Sequence, residues 1–336
     1  MNVTDKRMLI IRFSALGDVA MTIPAIYSLA VKYPELHIDV VTRPFFARLF
    51  INAPSNITVH GVDLNGEFKG INGTFRLLRF LAGLKPDYVA DLHNVLRTWI
   101  IDRYFLMRGV KVAMVDKLRK NRKDVLKKGI EQPNFIERYI DVFRQLGFQV
   151  SLTFQTLFHN SKNETSIEIL HPAVGIAPFA RYYNKTYPPA LMKEAVDLLA
   201  AEGYNVYLFG GRGKEAEELA HWQADNDRCT SLAGRFALEE EIALMSEMDL
   251  MVSMDSANQH MAGLAGTKVL SIWGSTTPGC GFLGYGQKVE NTICLNLECQ
   301  PCTVAGSPEC PLGHLNCMNG ITPQSIVTKI KSLLGA

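Results

Sequence analysis

A single carboxylate follows an apolar segment near the start of the chain. Residues 8–26 read MLIIRFSALGDVAMTIPAI, and the first six are typical of a buried strand. Asp18 comes directly after Gly17, where the strand pattern gives way to a helical one. A carboxylate there can cap the helix, or it can act as a general base, because ligands bind at the carboxyl ends of parallel strands. The residues alone leave both roles open.

Two loops in the second half carry side chains suited to a nucleotide. Lys185 lies in PFARYYNKTYPP (178–189), where the prolines indicate a loop that follows a strand, and an ammonium group there suits a phosphate. LFGGRGKEAEE (208–218) is a glycine turn before a helix, and Glu215 could accept a hydrogen bond from a ribose hydroxyl. The turn lacks the spacing of a Walker A loop or of a dinucleotide fingerprint. A solvent-exposed lysine and an ordinary turn are the alternatives.

The richest stretch is VSMDSANQHMAGLAGTKVLSIWGSTTP (252–278). A strand ends at Met254, and either Asp255 or Ser256 caps a helix of small residues. The free amides and positive dipole of a helix start suit a diphosphate. His260 lies near the first turn, where it could hydrogen-bond a phosphate or pack in the core.

Strand and helix patterns alternate along the chain and position these residues. The first run of strands is predicted at 8–13, 37–42, 87–92 and 111–115, and the second at 172–177, 204–209, 249–254 and 268–273. The predicted helices are 22–33, 71–83, 132–146, 189–202, 214–224, 238–247, 256–265 and 322–334. This alternation predicts two doubly wound α/β domains with parallel sheets facing across a cleft. The domains are expected at 1–165 and 166–336 with a polar linker at 159–171, and the last helix could pack on either.

Length and composition fit a globular protein. The 336 residues suffice for two domains, with 47% hydrophobic and 20% charged residues. We find no apolar run of the roughly 18 to 20 residues that span a bilayer and no signal-peptide pattern. We therefore expect a cytoplasmic protein.

Charge is balanced overall but uneven along the chain. The net charge is +2, whereas residues 97–128 hold eleven Lys and Arg against three Asp. Such a segment attracts phosphorylated lipids, membrane headgroups or other anions, unless it is merely a solvated helical face. Nucleic acid is not expected as a partner, because no recognition motif accompanies the charge.

Four cysteines fall within nineteen residues near the C-terminus, at Cys299, Cys302, Cys310 and Cys317. In a cytosolic protein this spacing suggests a zinc site rather than disulfides. The two cysteines of the first pair are close, but the second two are not, which is unusual for a zinc knuckle. Reduced thiols, disulfides and structural zinc all stay open.

Four blocks of the sequence resemble glycosyltransferase family nine, the bacterial lipopolysaccharide heptosyltransferases. They are IIRFSALGDVAMTIPAI, NKTYP, LFGG with the acidic residues after it, and DSANQHMAGLAGT…WGSTTP, and together they cover nearly the whole chain. The resemblance implies the GT-B fold, with the acceptor bound by the N-terminal Rossmann-like domain and the nucleotide sugar by the C-terminal one. It also implies an inverting transfer from ADP-heptose that needs no metal or other cofactor.

The resemblance assigns roles to individual residues. Asp18 matches the catalytic base, Lys185 matches the lysine on the donor phosphates, and Glu215 matches an acid near the adenosine. Asp255, Ser256, Ala257 and His260 match an Asp-Thr-Gly-x-x-His block that holds the donor sugar and diphosphate.

On the acceptor side, Gly17, Arg97 and Arg103 are expected to contact an anionic, lipid-linked glycan presented at the inner face of the inner membrane. Two departures from the family pattern leave the donor sugar open, namely Ala257 in place of glycine and FARYYN ahead of Lys185. The alternatives are the same fold acting with another nucleotide sugar on a different surface glycan, and a non-catalytic homologue that binds a nucleotide or a glycan.

Overall fold

The computed structural model describes residues 4–159 and 165–335. The chain divides into two compact units. The first comprises the described residues within Met1–Arg119 together with Phe135–Leu157, and the second comprises Lys120–Asn134 together with the described residues from Phe158 onwards. The backbone therefore enters the second unit twice.

The first unit is a doubly wound α/β domain. Its strands are β1 (Arg7–Ile11), β2 (His37–Thr42), β3 (Ile57–Gly61), β4 (Tyr88–Asp91) and β5 (Lys111–Met114). Its helices are α1 (Leu16–Ala20), α2 (Ile23–Lys32), α3 (Pro44–Ala47), α4 (Gly70–Gly83), α5 (Leu96–Leu106) and, after the excursion into the second unit, α7 (Phe135–Gln145).

The strands of the first unit pair in the order β3-β2-β1-β4-β5, and every pairing is parallel. β1 lies at the centre because its residues from Met8 to Ile11 are apolar and fully buried, which suits a strand covered on both faces. One core cluster joins the sheet to α4 and α5 through Leu77, Ile101 and Phe105. The order of the strands reverses between β1 and β4, the position where open α/β sheets bind ligands.

The second unit repeats the architecture with one more strand. It contains α6 (Arg122–Lys128), β6 (Ala173–Ala177), α8 (Pro189–Ala201), β7 (Asn205–Leu208), α9 (Lys214–Ala224), β8 (Cys229–Ser231), α10 (Leu238–Ser246), β9 (Leu250–Met254), α11 (Ala257–Ala265), β10 (Val269–Trp273), β11 (Thr292–Cys294), α12 (Asn316–Asn319) and α13 (Pro323–Leu334). The strand order is β11-β10-β9-β6-β7-β8, again all parallel, and it reverses between β6 and β9.

The C-terminal helix α13 packs on the second unit. Ile326, Val327 and Ile330 are fully buried in the core cluster that also holds Met192 and Leu199 of α8. From the sequence, this helix could pack on either domain, because an apolar stripe does not show which surface covers it.

The predicted strands and helices all occur, with ends that differ by up to three residues. Three short strands (β3, β8 and β11) and the helices α1, α3, α5, α6 and α12 were not predicted, and all of them except α5 are seven residues or fewer, too short for a periodic pattern to show. We predicted a domain boundary at residue 165. The contacts divide the chain after Leu157 instead, and residues 160–164 of the predicted linker lie outside the described residues.

The transfer of Lys120–Asn134 to the second unit has a local cause. The Gln132 amide donates to the Gly279 carbonyl at 2.8 Å, and Asn134 Nδ2 donates to the Leu283 carbonyl at 2.7 Å. The basic segment 97–128 is consequently shared between the units, and it does not form one continuous basic face of a single domain. Within the described residues, no helix has both the length and the apolar character needed to cross a membrane.

We predict that Ile330→Ala lowers the free energy of unfolding by about 2–5 kcal/mol, because it removes apolar contacts and leaves a cavity between α13 and α8. Urea denaturation of the full chain measures this. The control is Thr328→Ala, on the exposed side of the same helix, which should change the free energy of unfolding by about 0.5 kcal/mol or less. An equal, small effect of both substitutions would show that α13 contributes no core packing.

Candidate active site

Asp18 lies in the first turn of α1, just beyond the carboxyl end of β1. Its Oδ2 accepts a hydrogen bond from the Ala15 amide at 3.0 Å, in the manner of a capping box, and is 2.8 Å from a guanidinium nitrogen of Arg12. The Arg12 side chain is buried, and its other terminal nitrogen donates to the Leu92 carbonyl at 2.6 Å. The helix start thus holds Asp18 in place, while Arg12 favours its ionised form.

His93 reaches the same edge from the loop after β4. Its Nε2 lies 3.3 Å from the Ser14 hydroxyl, and its ring packs edge-on against Phe13. Burial, followed by the nearby charges of Arg12 and Lys117, lowers the pKa of His93 from its ordinary 6.5 to about 3. His93 is therefore neutral at physiological pH and can serve as a hydrogen-bonding group beside Asp18.

Cationic side chains converge on this edge from the ends of three strands. Arg43 follows β2, and Lys117 follows β5; both act on His93 together with Arg12, which follows β1. Burial, and then the charges of Arg12 and Arg119, lower the pKa of Lys117 to about 8. Arg12, Arg43 and Lys117 outnumber the carboxylates Asp18 and Asp91 at this edge, and such an excess of cations favours an anionic ligand.

Two buried carboxyl groups support the loop that carries His93. Asp91 ends β4, and its Oδ1 accepts from the amides of His93 and Asn94, each at 2.8 Å. Asp102 of α5 is buried beside Asp91, and burial followed by the charge of Asp91 raises the pKa of Asp102 to about 8. Asp102 is therefore mainly protonated at neutral pH, which avoids placing two buried negative charges side by side.

The three predicted acceptor residues are all in the first unit. Gly17 is the second residue of α1, next to Asp18. Arg97 and Arg103 lie on α5; Arg97 donates to the Phe68 carbonyl at 2.9 Å, and Arg103 is exposed. Their contact with an acceptor stays a prediction.

In the second unit, Lys185 and Asp255 meet where the strand order reverses. Lys185 ends a short 3-10 helix in the loop after β6, and Asp255 follows β9; Lys185 Nζ lies 2.7 Å from Asp255 Oδ2. Asp255 also accepts from the Thr276 hydroxyl at 2.6 Å and from Gln259 Nε2 at 3.0 Å. The buried carboxylate is therefore fully paired, and it directs the ammonium group, which keeps two further N–H donors for a ligand.

The start of α11 lies directly after Asp255. Ser256 occupies the N-cap position in an extended conformation, but its hydroxyl faces Ser253 Oγ at 3.2 Å and makes no capping bond. Ala257 begins the helix, and His260 is buried in its first turn next to Gly284. The amides at this helix start lack a side-chain cap, which is the arrangement that binds phosphate groups.

Glu215 lies in the first turn of α9, the helix that follows β7. Its Oε2 accepts from the Gly211 amide at 2.6 Å and so closes the glycine turn after β7. Burial, and then the charge of Glu215, raises the pKa of Glu241 in α10 to about 7. Two carboxyl groups therefore lie close together here, and sequence analysis predicted only one of them.

The cysteine-rich segment packs against the Lys185 loop. Asn184 is fully buried, and its side chain exchanges hydrogen bonds with Ser307, donating to the hydroxyl at 2.7 Å and accepting from the amide at 3.0 Å. The backbone of Gly306, with φ at +93°, passes directly beside the Lys185 side chain. The segment thus fixes the loop that presents the lysine.

All seven cysteines of the chain are free thiols in the structure. Among the residues that the structure describes, no three or more His, Cys, Asp or Glu side chains are grouped so as to hold a metal ion. The contacts of Asn184 show that the segment supports the Lys185 loop. A zinc site at its cysteines stays a prediction.

Comparison with known proteins identifies the family. A family model for glycosyltransferase family 9 (heptosyltransferase) matches residues 74–312 of the chain. The chain belongs to glycosyltransferase family 9. It is therefore a glycosyltransferase, and its paired parallel-sheet domains form the GT-B fold.

Curated relatives and solved structures agree with this family 9 assignment. Lipopolysaccharide heptosyltransferase 3 of Escherichia coli is 26% identical over 281 residues, which cover 77% of this chain and 81% of that protein. The family 9 glycosyltransferase of Veillonella parvula aligns with a TM-score of 0.76 at 19% identity, covering 99% of this chain and 98% of that one. The E. coli heptosyltransferase WaaC, solved with ADP-2-deoxy-2-fluoro heptose, aligns with a TM-score of 0.68 at 18% identity over 97% and 99% of the two chains.

Several polar residues of this family 9 site were missed from the sequence. Most of them lie in the loops that follow strands, namely Arg12, His93, Lys117, Asn184 and Thr276. Glu241 instead lies on helix α10, near Glu215. A polar residue just after a predicted strand was an available signal for His93 and Thr276. Nothing in the spacing distinguished Lys117 from the other cations around it.

We predict that His93 makes the protein less stable as the pH falls. A histidine whose pKa is lowered by folding binds fewer protons than the unfolded chain does, so the free energy of unfolding decreases from about pH 6.5 downwards. Between pH 7 and pH 5 the loss attributable to His93 should be about 2 kcal/mol. Urea denaturation of wild type and His93→Gln across this range measures it; identical pH slopes would show that His93 is not buried in its neutral form.

Proposed function

We propose that the protein is an inverting glycosyltransferase that transfers heptose from ADP-heptose to a lipopolysaccharide inner-core acceptor. The observation that carries the proposal is the pair of polar sites at the two strand-order reversals of a family 9 chain. One holds Asp18 among cations, and the other holds Lys185 on Asp255 beside an uncapped helix start. The first suits an anionic acceptor, and the second suits a sugar diphosphate.

Asp18 is the base in this proposal. It removes the proton from an acceptor hydroxyl as that oxygen attacks the anomeric carbon of the donor. The contact with Arg12 keeps the carboxylate ionised at neutral pH, which a base requires, and the Ala15 amide fixes its direction. Neutral His93 and Ser14 offer hydrogen bonds to the acceptor on the same edge.

The second unit stabilises the leaving ADP. Negative charge grows on the diphosphate as its bond to the anomeric carbon breaks. The ammonium group of Lys185 and the backbone amides of Ser256 and Ala257 can stabilise this charge. No divalent ion or other cofactor is needed for this step. In this proposal, Glu215 and Glu241 accept hydrogen bonds from hydroxyl groups of the nucleoside. The family 9 relative WaaC, solved with an ADP-heptose analogue, supports this choice of donor.

An anionic acceptor explains the excess of cations in the first unit. Lys117 and Arg43 can pair with carboxylate or phosphate groups near the hydroxyl that Asp18 deprotonates. We retain Arg97 and Arg103 as contacts to more distant parts of a lipid-linked glycan. The protein would then work in the cytoplasm, at the inner face of the inner membrane, where such an acceptor is presented.

A second donor is a specific alternative. Ala257 adds a methyl group at the helix start, and Phe179–Asn184 replaces the hydroxyl residues that the family carries ahead of the lysine. Both changes lie beside the proposed diphosphate site, so they favour testing another nucleotide sugar alongside ADP-heptose.

We predict that Asp18→Asn lowers the rate of transfer at least about 100-fold, because the amide cannot accept the acceptor's proton. The variant should keep wild-type affinity for ADP-heptose, which binds in the second unit. Transfer assays and calorimetric titration of the same preparations measure the two effects. A variant that retains most of the transfer rate would exclude Asp18 as the base.

We predict that Lys185→Met weakens binding of ADP-heptose and ADP about 10- to 100-fold, because it removes a charged hydrogen-bond donor to phosphate. Lys193→Met is the matched control, since Lys193 pairs with Asp197 on α8 and carries the same charge. Calorimetric titration with ADP-heptose, ADP and UDP measures the affinities. Binding of UDP in preference to ADP would overturn the proposed donor and leave the fold and family unchanged.

A further inference from the structure

Two neighbouring helices of the first unit expose large apolar side chains. Ile71 and Phe75 of α4 are 78% and 66% exposed, and Leu96 of α5 and Met107 just after it are 73% and 79% exposed. Trp99 and Ile100 of α5 are about half exposed. We call the surface formed by these six residues the α4–α5 face. Contiguous apolar patches of this kind are rare on soluble domains unless something binds them.

Helical spacing places these side chains in one stripe on each helix. Ile71, Phe75 and Leu78 are separated by four and three residues on α4, and Leu96, Ile100 and Met107 recur at four and seven residues along α5. The stripes meet in a groove of about 460 Å³, lined by Leu78, Trp99, Ile100, Arg103, Tyr104 and Met107. The exposed groups therefore form one surface.

The charged side chains that α4 and α5 themselves expose are all positive. The two helices contain four arginines, Arg76, Arg79, Arg97 and Arg103, and Arg108 follows with its guanidinium 3.8 Å from the Tyr104 ring centre. Their one acidic residue, Asp102, is buried beneath the surface beside Asp91. Arginine and tryptophan around exposed aliphatic groups are the composition of surfaces that lie in a lipid headgroup layer.

We propose that the α4–α5 face docks the enzyme on an anionic phospholipid surface. This inference rests on the proposed function, because an enzyme that acts on a lipid-linked acceptor must reach that acceptor at a membrane. The structure links the face to the acceptor site, because Trp99 Nε1 donates to Asn94 Oδ1 at 2.6 Å and Asn94 belongs to the loop that carries His93. An acceptor anchored in the bilayer would thus be presented beside that loop.

A second copy of the chain fits this face less well. A symmetric dimer would bring the same arginines of both copies together, with no exposed acid on either helix to neutralise them. Anionic headgroups, in contrast, neutralise the arginines while the acyl region takes up the apolar groups.

The test is flotation of the full chain with vesicles of phosphatidylcholine alone and of phosphatidylcholine mixed with phosphatidylglycerol. Wild type should bind the mixed vesicles, and binding should weaken with salt. Ile71→Ser/Phe75→Ser/Met107→Ser and, separately, Arg79→Glu should each lower binding about tenfold or more. Val31→Ser and Lys32→Glu, exposed on α2 of the same unit, are the matched controls and should bind as wild type does.

Transfer from ADP-heptose to a water-soluble acceptor fragment, measured on the same proteins, separates this inference from the proposed function. Equal transfer by wild type and variants, with vesicle binding lost only in the α4–α5 variants, supports the docking face. Absence of vesicle binding by wild type, or equal loss in the controls, overturns it whatever the transfer rate. A wild-type dimer that the triple variant dissociates would also overturn it.

Loss of transfer by every protein with vesicle binding intact would instead refute the proposed function. Arg79→Glu alone decides the matter if the triple variant does not fold.

Discussion

Parallel pairing of every strand is the constraint on which the rest of the molecule depends. When all strands of a sheet run in the same direction, their carboxyl ends share one edge, and each following loop must begin there. In the first unit this brings Arg12, Arg43, His93 and Lys117 to Asp18 from the ends of different strands. In the second unit it brings Lys185 to Asp255 from loops that are seventy residues apart in sequence. Both sites fall where the strand order reverses, because adjacent loops diverge there and leave space for a ligand.

The buried charges at these edges are costly, and their pairing shows how the cost is limited. An ion pair in the interior loses hydration that its mutual attraction only partly replaces. Asp255 offsets this with hydrogen bonds from Thr276 and Gln259 as well as the contact with Lys185. At Asp91 and Asp102 the cost is limited in another way, because the raised pKa of Asp102 keeps that carboxyl group protonated and uncharged. Hydrophobic side chains would stabilise the fold with less compensation, so the stability of the fold does not account for these charged groups.

The C-terminal segment illustrates how residues outside the Rossmann-like core support the chemistry. Asn184 is held by Ser307, and Ser275 donates its amide to the Asn184 carbonyl at 3.0 Å. Three loops that follow different strands are thereby joined around Lys185. The spacing of the cysteines in this segment suggested a metal site, which stays a prediction, and the hydrogen bonds of the segment show that it holds the Lys185 loop.

The sequence by itself determined the class of fold and singled out the central residues of the candidate site. Alternating apolar strands and amphipathic helices predicted two parallel-sheet domains, and Asp18, Lys185 and Asp255 stood out because each follows a predicted strand. These signals are local, since periodicity and strand ends can be read within a few residues.

Only the tertiary structure decided which loops meet, that Arg12 pairs with Asp18, that Lys120–Asn134 belongs to the second unit, and that the basic segment is divided. The exposed stripe of α4 and α5 was also invisible in the sequence, because an apolar residue does not reveal whether a neighbour covers it. Those features depend on contacts between distant segments, and no local pattern encodes the partner across such a distance.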